Sequence, residues 1–244
     1  MHEAALLDHF AADLPRMLAA VERSGLEAAV PGAPAWTVRE LVEHVAAVFE
    51  HKLVAITTGH KPTEWKREDA DPVAWLADAH ARLLHLLTSE PTSTQVWTWF
   101  PPDQSVGFWV RRMAQELFVH RIDAEQAAAI TPLVDEQLAA DGVDEVLCVM
   151  LGYEPAWEPD DEVDGHGQCV AIQTEDGASS WLVTLNPSSV EAVRGKGDAV
   201  ATVTATADEL LLWLWGRGEL DPAAITGDKA SVGLLLEALA IVTE

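Results

Sequence analysis

Apolar residues return every three or four positions through the first 150 or so residues of the chain, with Pro or Gly clusters between the periodic stretches. A strand alternates its side chains between two faces, whereas an α-helix with 3.6 residues per turn gathers this spacing onto one stripe. The N-terminal half is thereby restricted to packed helices, predicted at His2–Ser24, Val38–Thr58, Pro72–Ser89, Val106–Ile130 and Leu133–Leu151. The second start is the best marked. Thr37 stands three residues before Glu40, ahead of an apolar run, so each side chain can satisfy a free backbone N–H at the other residue.

The pattern breaks at Tyr153–Gly167, which is rich in Pro, Asp, Glu and Gly and reads as a linker or exposed loop. Beyond it the predicted strands are Gln168–Thr174, Trp181–Leu185 and Ala199–Thr206, the last alternating Val or Ala with Thr. Helices return at Asp208–Trp215 and Lys229–Val242. The expected fold class is α+β: a helical bundle over 1–155 and a small α+β domain over 156–244.

Composition narrows the partners. Fifteen Lys and Arg against 40 Asp and Glu leave a formal charge of −25. Phosphate backbones are held by clustered basic residues, and anionic membrane surfaces repel excess acid, so neither nucleic acid nor a membrane is an expected partner. With 49% hydrophobic residues the chain can bury a core. No apolar run approaches the ~20 residues of a membrane span, and Met1–Phe10 shows no basic, apolar targeting pattern. Two cysteines, Cys148 and Cys169, are too few for a disulfide framework, and both fall in apolar segments where a thiol stays protonated. A cytoplasmic location is the simplest expectation.

The residues suited to chemistry lie on the fourth predicted helix. Glu116 and His120 are four apart and share a face, Asp123 continues the same line, and Met113 and Leu117 mark it as inward-facing. A buried carboxylate is costly unless paired or bound to a cation, which motivates a metal. His44, between Leu41 and Val48 on the apolar stripe of the second helix, adds an imidazole from a facing helix. Two His and one carboxylate leave open positions on a divalent ion, zinc being the first choice. The same residues also suit a hydrogen-bonded polar cluster without an ion, and Asp123 beside Arg121 suits a solvated helix position. His51, seven residues after His44, is a substitute ligand, a supporting group or an exposed neighbour; His80 and His85 read as structural or exposed.

No Gly-rich phosphate loop, Gly-x-Ser-x-Gly elbow or His-Glu-x-x-His element is present. The aromatic stretch Trp97–Trp109 leads directly into the helix carrying Glu116; it suits either a pocket wall or plain packing.

Two motifs then converge. Trp36-Thr37-Val38-Arg39-Glu40-Leu41-Val42-Glu43-His44 resembles the Trp-Ser/Thr-x-x-x-Leu-x-x-His element of the mycothiol-dependent maleylpyruvate isomerase family, and Glu116-x-x-x-His120-x-x-Asp123 resembles its second metal element. Trp213-Leu214-Trp215-Gly216-Arg217-Gly218 with Gly227-Asp228 is similar to a late stretch of that family. The resemblance implies a DinB/YfiT-like four-helix bundle followed by a small α/β-sandwich-like domain, with a divalent metal on His44, Glu116 and His120. It also implies an Arg from the C-terminal domain reaching toward the ion; Arg217 matches best and Arg194 is the rival.

The implied cosubstrate is mycothiol, whose sulfur a divalent ion would bring to the thiolate. Adding to the double bond of a small electrophile such as maleylpyruvate, it would allow cis–trans rotation before elimination, with Arg217 offsetting substrate charge and Asp123 orienting His120 or handling a proton. Thiol transfer to another electrophile, or a non-catalytic metal-binding or regulatory role, are the alternatives. An acidic protein repels an anionic substrate unless a local cationic centre overrides it, so the mouth of the metal pocket is expected to be a non-negative patch.

Overall fold

The computed structural model describes residues 1–63, 71–153, 163–187 and 189–243. They form two compact units, Met1–Leu133 and Val134–Glu244.

The first unit contains helices α1 (Glu3–Ser24), α2 (Val38–Thr58), α3 (Pro72–Ser89) and α4 (Val106–Ala127), with a short hairpin of β1 (Ala29–Val30) and β2 (Ala33–Thr37). Helix α1 packs on α4 and α2 on α3, and α4 also meets α2. The hairpin, not predicted from the sequence, turns at Pro31-Gly32 between the paired Val30 and Ala33. It delivers the chain to the start of α2, where the expected box forms: Thr37 N–H donates to Glu40 Oε2 (2.7 Å), and Glu40 N–H donates to Thr37 Oγ1 (3.3 Å). Gly59, left-handed at φ 71°, closes the helix.

Helix α4 is buried along nearly its whole length, from Val106 to Glu125, polar residues included. Ionic groups can occupy such a helix only if partnered. On the side facing α1, Arg121 lies with Nε 3.1 Å from Asp13 Oδ1 and Nη1 2.6 Å from Glu125 Oε2. The other polar line of α4 carries Arg112, Glu116, His120 and Asp123.

The second unit opens with α5 (Glu136–Glu145), which runs into a π-helical segment, Val146–Leu151. A single helix over Leu133–Leu151 was expected with the helical half; by contact this segment belongs with the sheet. Leu138, Ala139 and Val143 are buried on α5, which packs on α6 (Ala207–Leu214), and the π segment lies against β5 (Ser189–Arg194). The linker expected over Tyr153–Gly167 lies largely outside the described residues.

Five strands, β3 (Gln168–Thr174), β4 (Ser180–Asn186), β5, β6 (Ala201–Ala205) and β7 (Ile225–Gly227), pair in the order β5-β4-β3-β6-β7. All pairs are antiparallel except β3 with β6. Every second residue on the central strands is buried, as with Val170 and Ile172, Trp181, Val183 and Leu185, or Ala201 and Val203. Helix α7 (Lys229–Thr243) lies against β3 and β6. Strand β5 was not predicted; Arg194 is exposed as expected, but as the last residue of that strand and not in a turn. Cys148 and Cys169 are half-buried, not buried as expected.

Candidate metal centre

The packing of α2 on α4 brings His44 together with two side chains that lie 72 or more residues further along the sequence. His44 lies two turns into α2; Glu116 and His120 lie one turn apart on α4. His44 Nε2 is 3.3 Å and His120 Nε2 3.4 Å from the same oxygen, Glu116 Oε1. One ligating atom from each of the three residues falls within 4.8 Å of the other two. The indole of Trp36, fixed just before the α2 cap, covers the imidazoles, with centroids 4.8 Å from His44 and 6.3 Å from His120.

Asp123 is fully buried, not solvated, and its Oδ2 lies 3.0 Å from His120 Nδ1. Burial works against the imidazolium of His120, but the Glu116 and Asp123 carboxylates outweigh it and lift its pKa to about 9. Burial likewise opposes ionisation of Glu116; Arg112 first, then His120 and bonds from both imidazoles, hold it well below the ordinary carboxylate range.

Two cations beside this cluster were not identified from the sequence. Arg112, buried one turn before Glu116, pairs through Nη2 with Glu116 Oε2. Its i,i+4 spacing to Glu116 was the available signal. Lys52 is also buried, its ammonium 3.1 Å from His51 Nδ1 and 5.1 Å from the Trp109 ring centroid. Burial lowers its pKa to about 8, Glu116 opposing and Arg112 adding to the shift. Lys52 signalled nothing at sequence level except its neighbourhood on α2.

His51 does not join the cluster. It packs edge-on to Trp97, with its pKa lowered to about 4 by burial and then by Lys52 and Lys61. His80 is structural, its Nε2–H donating to the Phe10 carbonyl (2.8 Å), and His85 is exposed. In the aromatic stretch, Trp109 is buried and its Nε1–H donates to the Trp97 carbonyl (2.9 Å), while Trp99 packs against Phe108. Within the second unit, Arg217 Nη1 donates to the Trp215 carbonyl (2.6 Å) and its guanidinium lies 5.7 Å from the Trp215 ring, whereas Arg194 pairs with Asp144.

The donor set fits a divalent transition metal. Two imidazole nitrogens and one carboxylate oxygen converge, His44 is partly exposed, and three ligands leave positions for small molecules.

Comparison with known families gives two matches. Residues 7–125 match the mycothiol maleylpyruvate isomerase N-terminal domain, and 137–234 match that family's C-terminal domain. Among solved structures, a crystal structure of the mycothiol-dependent maleylpyruvate isomerase is 15% identical with a TM-score of 0.62, covering 89% of this chain and 90% of that one. A His-to-Ala mutant of a mycothiol-dependent maleylpyruvate isomerase matches at 12% identity and TM-score 0.61, over the same shares. At these identities the likeness establishes the shared fold. No curated protein sequence matches.

Proposed function

Because the chain belongs to the mycothiol-dependent maleylpyruvate isomerase family, we propose that it is a metal-dependent enzyme using a mycothiol-class thiol on a small electrophile, with cis–trans isomerisation of a maleylpyruvate-type substrate as its reaction. The observation that carries this reading is the meeting of His44, Glu116 and His120 within 4.8 Å.

His44, Glu116 and His120 would hold the ion, zinc suiting this mixed nitrogen and oxygen set. When bound, a divalent ion supplies the positive charge that brings a thiol to the thiolate at neutral pH. Asp123 holds the Nδ1 side of His120, which leaves Nε2 directed at the Glu116 oxygen. Trp36 packs against both imidazoles. Thiolate addition to the cis double bond leaves a single bond that rotates and an enolate; expulsion of the thiolate restores the double bond in the trans form. A cation is needed where the enolate charge develops, and Arg217 is the residue proposed for it, with Arg194 as the rival.

The test combines metal analysis with a thiol panel. Purified protein is expected to carry a stoichiometric divalent ion that a His44→Ala/His120→Ala double variant loses, and to isomerise maleylpyruvate only with mycothiol. Absence of metal, or undiminished metal in the double variant, overturns the centre. Thiol consumption without isomerisation would reassign the reaction to thiol transfer, and inertness toward all thiols would reassign the protein to a binding role.

A further inference from the structure

Glu116 divides its two oxygens between different partners. Oε1 lies within 3.4 Å of both imidazoles, while Oε2 is taken by the Arg112 guanidinium. An Arg–Glu pair at i,i+4 on a solvated face contributes little, but both of these side chains are only 9% exposed. A buried guanidinium stays charged and carries a planar fork of donors that fixes the plane of the carboxylate it meets. The carboxylate is therefore locked with one oxygen aimed at His44 and His120 and the other turned back along α4.

We infer that Arg112 is a positioning residue that confines Glu116 to metal ligation through Oε1 alone. The inference rests on the metal reading above. Two consequences follow for this chain. One-oxygen ligation keeps open a position that a two-oxygen carboxylate would fill, and that position is available to thiol or substrate. Arg112 also offsets the negative charge of Glu116, so less of the ion's charge is neutralised by its own ligands and more remains for acidifying a thiol. Tight metal binding is given up in return, since a guanidinium beside the ligand repels a cation.

The test uses chelator-stripped full-length protein reloaded with Co²⁺ or Zn²⁺, comparing wild type with Arg112→Met and Arg112→Lys. In Arg112→Met the freed Oε2 is expected to join the ion. The Co²⁺ visible bands should then weaken and move to shorter wavelength as coordination number rises, and affinity should tighten on the order of tenfold as a repelling charge is removed. Arg112→Lys, which keeps the charge and a donor, should restore much of the wild-type spectrum. An Arg112→Met spectrum identical to wild type overturns the inference, as does a loss of affinity with an unchanged spectrum, which is the signature of a structural role. Should the variants fail to fold, the Zn²⁺-loaded wild-type crystal structure decides: Oε2 on Arg112 with Oε1 on the ion is expected, and both oxygens on the ion overturns it. Wild type that binds neither ion overturns the metal reading itself, a result separable from all of these.

Discussion

Asp123 touches the proposed ion only through His120. With a carboxylate 3.0 Å from Nδ1, the imidazole favours the tautomer that carries its proton there and presents Nε2 as an electron-pair donor. Asp123→Asn keeps the volume but can satisfy either tautomer, so the preference is lost. Metal affinity is expected to fall about 10–100-fold with the far-UV spectrum unchanged; an unaltered dissociation constant would remove Asp123 from the site. His80 makes a different use of an imidazole. Burial, partly opposed by its bond to the Phe10 carbonyl, lowers its pKa from about 6.5. Between the lowered folded value and 6.5 the unfolded chain binds the proton and the folded chain does not, so this contribution is complete above 6.5 and is lost on acidification. Urea midpoints between pH 7 and 5 should fall more steeply for wild type than for His80→Gln, which keeps an N–H for Phe10; parallel slopes would refute it. Glu116, His120 and Asp123 were legible because their spacing puts unlike chemistry on one helix line, and His44 because it interrupts the apolar stripe of α2. Arg112 was not, because an Arg four residues before a Glu is ordinary on any solvated helix, and only the burial of α4 makes it exceptional.

The capping box of α2 sets the site as well as the helix. It fixes where α2 begins, and with it the approach of Trp36 and the rotation of His44 toward α4. Thr37→Ala is expected to destabilise by about 1 kcal/mol, measured by chemical unfolding of the metal-free protein; no change would mean that tertiary packing alone sets the start. The boundaries Val38–Thr58 and Pro72–Ser89 were readable to the residue because polar caps, Thr37 and Asp71, precede them and a Gly or a loop ends them. Elsewhere the sequence was silent for physical reasons. The run Val146–Leu151 is apolar on every side, so no period distinguishes an α turn from the wider π turn. Edge strand β5 buries only Val190, leaving no alternation to detect. Gly227 ends β7 with φ 82°, and a Cβ there would lie 2.3 Å from the Val200 carbonyl oxygen. Both the dihedral and the backbone contact exclude a side chain, so Gly227→Ala is expected to cost more than about 1 kcal/mol in thermal or urea unfolding; a neutral substitution would show that the backbone just before β6 can give way.

Charge is the property that belongs to the whole chain. Among the described residues the buried basic side chains are Lys52, Arg112 and Arg121, spent on Glu116, Asp13 and Glu125 and on the aromatic stretch. Two of the three, Lys52 and Arg112, lie beside the ligand cluster. Buried carboxylates among the described residues outnumber these cations, yet a large acidic excess remains outside. Self-repulsion of this kind opposes the compact state, and salt relieves it as the Debye length shrinks from ~30 Å at 0.01 M to ~8 Å at 0.15 M. Screening also weakens exposed ion pairs such as Arg39–Glu27 and Arg82–Asp78, but each is worth only about 0–1 kcal/mol, and an excess of 25 like charges outweighs them. The thermal midpoint of the chelator-treated protein should therefore rise between 10 and 200 mM NaCl. A net gain of about 1 kcal/mol corresponds to roughly 2–4 °C at this length. A falling midpoint would show that attractive pairs, and not the acidic excess, govern the stability of the folded chain.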